Sequence, residues 1–116
     1  MPEKNGPSQP GPPERREKRR VPRYAFIASA KEVDIATKTE LPGRVSEISV
    51  YGCFIDTLNP FPEKTQISVT IEHKEQVFCA LGRVIYVMPN MGMGVVFTEI
   101  KDEDAKILTG WVKECA

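Results

Sequence analysis

Arg19-Arg20-Val21-Pro22-Arg23 sets Arg19 and Arg23 four residues apart, an R-x-x-x-R pattern with Lys18 just before it. A guanidinium is a planar fork of donors that suits phosphate oxygens, and its flat face stacks on bases. Guanine presents N7 and O6 as neighbouring acceptors that one arginine can bridge. Any basic run contains such a pattern, and Arg15/Arg19 and Arg16/Arg20 satisfy it as well. A second stretch is Glu47-Ile48-Ser49-Val50-Tyr51-Gly52. On an extended strand Glu47 and Ser49 point one way and Ile48 the other. A carboxylate and a hydroxyl then share the outer surface, with Ile48 anchored inside. The carboxylate can accept from the ring N–H and exocyclic amine of guanine, and the hydroxyl can add a further bond. Gly52 lets the backbone turn or a flat ligand come close. The same six residues also read as an ordinary polar strand face followed by a bulge glycine.

Other chemistry is poorly represented. His73, the single histidine, stands in an expected turn among charged neighbours, where a solvated side chain is the simplest reading. No serine lies in a nucleophile-elbow sequence, and one histidine leaves no evident base for a serine or cysteine nucleophile. Asp102-Glu103-Asp104 suits the start of a helix better than a metal, and Gly92-Met93-Gly94 precedes a strand, so a dinucleotide-binding turn is not expected there. The three cysteines, Cys53, Cys79 and Cys115, are far apart and set in apolar sequence. They read as small buried hydrophobes in a reducing compartment. No enzyme, metal or cofactor is expected.

The elements that must position these residues are mostly strands. An apolar-rich run from Tyr24 to about Ile35 predicts a first strand, and Pro42-Gly43 a turn before a second strand from Arg44 to about Ser49. Cys53 to Ile55 follows after Gly52, and Asn59-Pro60-Phe61-Pro62 is a loop. Gln66 to Glu72 alternates most cleanly, with Ile67, Val69 and Ile71 on one face. Gln76 to Met88 is apolar on both faces, with Val77, Cys79, Leu81 and Ile85 opposite Phe78, Ala80, Val84 and Tyr86. Gly82 suits a bulge at a barrel corner. Met93 to Thr98 is the last strand. A helix is predicted over about 102–114, capped by Asp102, with Ile107, Leu108, Trp111, Val112 and Cys115 as its apolar stripe. Six antiparallel strands and one C-terminal helix describe a small closed or nearly closed β-barrel. Phe54 is expected in its core.

Charge and composition divide the chain. Residues 1–13 hold five of the ten prolines and nothing large and apolar, and are expected to be a disordered tail. Residues 14–23 carry a charge of +4 and read as a basic, ligand-binding arm. Residues 24–116 hold nine bases and thirteen acids, a mildly acidic body. A basic arm on such a body suits an anionic partner. With neither a signal peptide nor a membrane-spanning run, a soluble cytoplasmic protein is expected.

Together and in this order, the two motifs resemble the PilZ family of cyclic di-GMP receptors. That family pairs R-x-x-x-R in an N-terminal loop with [D/N]-x-S-x-x-G at the end of an early strand. Gly92-Met93-Gly94-Val95-Val96-Phe97 resembles the family's last strand, and the terminal helix fits as well. The chain departs in one place, with Glu47 where the family has Asp or Asn. The resemblance implies a six-stranded antiparallel barrel with cyclic di-GMP held outside it. Arg19 and Arg23 would grip guanine and phosphate, Ser49 and Gly52 would line the guanine platform, and Lys18 and Arg20 could assist. Binding would order the arm and signal to an unidentified effector protein. Two other readings stay open: a nucleotide-independent interaction adaptor, which Glu47 would favour, and a nucleic-acid-binding barrel. The latter is disfavoured by a net charge of zero and by aromatic residues that fit the core pattern.

Overall fold

A computed structural model describes residues 21–116. Lys18, Arg19 and Arg20, and the tail and most of the arm expected from the sequence, lie outside the described residues. The chain runs β1 (Tyr24–Asp34), β2 (Glu40–Ile48), β3 (Gly52–Asp56), β4 (Gln66–His73), β5 (Gln76–Met88), β6 (Gly92–Glu99) and a helix α1 (Asp102–Cys115). The strands close into a barrel in the order β1-β2-β3-β6-β5-β4, with every pair antiparallel. Closure leaves no sheet edge exposed along the paired strands.

Period-two alternation builds the core. Ile67, Val69 and Ile71 of β4 are buried, as are Phe78, Ala80 and Val84 of β5 and Val45 and Ile48 of β2. The β4–β5 hairpin turns on Lys74 and Glu75, both at positive φ, the backbone that tight two-residue hairpins need. His73 therefore ends a strand rather than standing in the turn. Its ring lies 4.4 Å from that of Phe26 and 5.6 Å from that of Trp111, so it is packed and not simply solvated.

Three local expectations are corrected. Pro42 and Gly43 lie inside β2, opposite Lys31 and Ala30, and the chain reverses at residues 35–39 instead. Pairing of β2 with β3 begins only at Arg44, so Pro42 sits where β2 has one neighbour and a missing N–H is tolerated. The helix begins at Asp102 itself; Lys101 is the N-cap residue, with no side-chain cap. The first-turn acids still face the positive end of the helix dipole, and Asp104 Oδ1 accepts the Cys79 N–H at 3.0 Å, tying α1 to β5. Only Cys53 is buried, Cys79 being exposed on the outward face of β5 and Cys115 half-buried.

α1 closes one end of the barrel with its apolar stripe. Leu108 and Trp111 are buried, with Ile107, Val112 and Cys115 packed beside them. Trp111 Nε1–H donates to Gln76 Oε1 at 2.9 Å, so the one polar atom of the indole is satisfied.

Glu32 is the anomaly of the interior. It follows Phe26, Ala28 and Ala30 on the inward face of β1 and is fully buried. Among the described residues neither carboxylate oxygen has a hydrogen-bond partner. Desolvation raises its pKa to about 7. Burial also pushes the Cys53 thiol well up, with the Glu32 charge adding to the effect.

Candidate functional site

The end of β2 runs into a turn that its own serine holds. Ser49 Oγ accepts the N–H groups of Tyr51 at 3.1 Å and Gly52 at 3.2 Å, and the Ser49 N–H donates to the Gly52 carbonyl at 2.9 Å. Ser49 is buried by this arrangement while Ile48 beside it fills the core. Gly52 is required by the fold as well: a Cβ there would stand 2.1 Å from the Val95 carbonyl oxygen of β6.

From this turn a groove of about 310 Å³ runs across the outside of β2, β3, β6 and β5. Its floor follows from register. Glu47 pairs with Phe54, Phe54 with Gly94, and Gly94 with Tyr86, giving one row straight across four strands. A second row runs from Gly52 to Val96 to Arg83. The middle of the first row has no side chain, and that gap is occupied by rings. A Cβ on Gly94 would lie 2.2 Å from the Tyr86 ring, and the Phe54 and Tyr86 rings stack with centroids 6.1 Å apart. Phe54 is thus half-buried on the groove floor rather than in the core. Tyr86 also leaves the face it was expected to share with Val84, because a register irregularity between Val84 and Tyr86 turns it outward beside Ile85.

Arg23 stands at the β2 end of the groove, with Nη1 3.7 Å from Glu47 Oε1. The two side chains are 64% and 41% exposed, so the pair itself contributes little to stability and is free to exchange partners. Arg44, by contrast, is committed: it donates to Asp56 Oδ2 at 2.9 Å, and Ser46 Oγ donates to Asp56 Oδ1 at 2.9 Å. Arg23 and Glu47 therefore meet on the outer face, with Ser49 and Gly52 also lining the groove. The Ser49 hydroxyl does not share the outer surface with Glu47 as expected, because the turn amides of Tyr51 and Gly52 draw it inward and bury it. The sequence reading missed Phe54, Tyr86 and Arg83 as groove residues. The apolar outward face of β5 was the available signal.

A family model described as the PilZ domain matches residues 14–114. The chain belongs to the PilZ domain family. Solved structures agree at the level of fold. The PilZ domain of CeSA from a cellulose-synthesizing bacterium is 12% identical, with a TM-score of 0.64 over 77% of this chain and 96% of that one. The Bacillus subtilis inhibitor of motility, MotI/DgrA, is 14% identical with a TM-score of 0.68, over 84% of this chain and half of that one. The PilZ domain of YcgR from Escherichia coli, solved with c-di-GMP, is 13% identical with a TM-score of 0.65, over 84% of this chain and 93% of that one. No curated protein matches the sequence. The family is one of cyclic di-GMP receptor domains, and among the described residues Arg23, Glu47, Ser49 and Gly52 line the β2 end of the groove. Among the described residues no cluster of His, Cys, Asp or Glu could hold a metal, and no helix is long and apolar enough to cross a membrane.

Proposed function

We propose that this chain is a cyclic di-GMP receptor whose basic arm, residues 14–23, carries the signal to a partner protein. The observation that supports the reading best is the position of Arg23. It stands beside Glu47 at the open end of a groove floored by aromatic and apolar side chains. A dianionic dinucleotide takes Arg23 from its weak surface pair with Glu47 and gives it a charge-assisted bond of about 1.5–3 kcal/mol. The freed Glu47 carboxylate accepts from the guanine N–H groups. Glutamate reaches about one carbon–carbon bond further than the usual aspartate, and its pairing with Arg23 supports a side chain that can span that distance. Arg19 acts with Arg23, Lys18 and Arg20 strengthen the electrostatic attraction, and the bound arm presents a new surface to the effector.

Calorimetric titration with cyclic di-GMP tests this, with Arg23→Ala and Glu47→Ala alongside. Binding by the wild type that falls at least tenfold in Arg23→Ala is the expected result, together with slower tryptic cleavage within residues 14–23 when ligand is bound. An absence of heat in the wild type refutes the receptor reading and favours a nucleotide-independent adaptor.

A further inference from the structure

Arg83 lies at the end of the groove opposite Arg23. It closes the second row of the floor, beyond Gly52 and Val96, three strand spacings from β2, or about 14 Å along the sheet. Its side chain is exposed, and among the described residues it forms no ion pair. Arg23 and Arg44 both do, which leaves Arg83 with an uncommitted guanidinium fork beside an aromatic platform. It also borders a second depression with Glu63 and Lys64, whose charges offset each other.

We propose that Arg83 reads a guanine base in the half of the groove far from Arg23. This rests on the cyclic di-GMP reading above. That ligand is two-fold symmetric, with two guanines and two phosphodiesters, so a groove able to hold it needs recognition at both ends. The Arg23 and Glu47 end serves one guanine. At the other end the Phe54 and Tyr86 rings, the latter lying over Gly94 where no side chain stands in its way, give an apolar aromatic surface on which a second purine lies. Arg83, in the adjoining row, then faces the purine edge rather than its plane. A guanidinium spans the N7 and O6 acceptors of guanine, whereas adenine offers N7 beside an amino group that repels it. Arg83 is in this sense a specificity-determining residue, distinct from a general attractor of phosphate.

Competition of labelled cyclic di-GMP by unlabelled cyclic di-GMP and cyclic di-AMP separates these roles. The proteins compared are the wild type, Arg83→Met, which keeps the aliphatic stem, Arg23→Ala, and Lys106→Ala as a control for loss of a positive charge on α1. Arg83→Met is expected to weaken cyclic di-GMP at least tenfold while changing cyclic di-AMP much less, so that the preference for guanine shrinks. Lys106→Ala keeps both the affinity and the preference. Equal weakening of both ligands, or no change in either, overturns the role of Arg83. If Arg23→Ala still loses affinity in that case, the receptor reading stands without it. A wild type that binds neither ligand removes both. Unfolding midpoints equal to the wild type confirm that the variants are folded, and Arg83→Lys, which keeps the charge but not the fork, must likewise lose preference.

Discussion

Replacing Glu32 by Gln should make the protein more stable at neutral and alkaline pH and leave it nearly unchanged in acid. Inside the barrel the carboxyl is fully buried, and desolvation raises its pKa from 4.5 to about 7. The folded protein therefore binds a proton that the unfolded chain has already released. A raised carboxyl pKa contributes its stability below the unfolded value, near pH 4.5, and loses it as pH rises through the window from 4.5 to about 7. At about 1.4 kcal/mol per pH unit, that gap amounts to about 3 kcal/mol of stability lost by pH 8. A glutamine side chain is close in volume and never charged, so the Glu32→Gln variant is spared this loss. Its amide is as poorly partnered as the protonated carboxyl, which makes the two proteins comparable at pH 4.5. Among the described residues the Cys53 thiol feels the Glu32 charge, and burial keeps that thiol neutral throughout this range. Urea unfolding at pH 4.5, 6, 7 and 8 measures the difference directly, because contributions from other groups cancel between the proteins. A wild type as stable as Glu32→Gln at pH 8 would mean that the carboxylate finds a partner or water when ionised, and would refute the reasoning.

Removing the turn serine should cost stability independently of any ligand. Ser49→Ala leaves the amides of Tyr51 and Gly52 without their acceptor, and a loss of about 1–3 kcal/mol in urea unfolding is expected. Trp111→Ala empties the end of the barrel that α1 closes and strands Gln76; about 3–5 kcal/mol should be lost in the same assay. Gly110→Ala should have the opposite sign. A Cβ there meets nothing within 4 Å, so the variant gains about 1 kcal/mol of helix propensity, read as a higher unfolding midpoint.

Local pattern determined much of this protein. Alternation along Gln66–Glu72 specifies a strand with its apolar face inward, and residues 67, 69 and 71 are buried accordingly. The stripe at Leu108 and Trp111 specifies which side of the helix meets the barrel. The R-x-x-x-R and E-x-S-x-x-G motifs indicate the family, because each is a short contiguous run whose residue types carry the chemistry. What they could not reveal depends on pairing between strands distant in sequence. Glu47, Phe54, Gly94 and Tyr86 form one row only because β3 lies between β2 and β6, and β6 between β3 and β5, each in a particular register. A slip of one residue would send Phe54 into the core and dissolve the floor. The irregularity that turns Tyr86 outward is likewise invisible in an unbroken apolar run. Glu32 shows the same division. Alternation with Phe26, Ala28 and Ala30 already puts it on the inward face of β1, but a charged residue near a strand end is ordinarily read as solvated. Closure of the barrel buries it, since only the neighbouring strands decide whether water reaches that face.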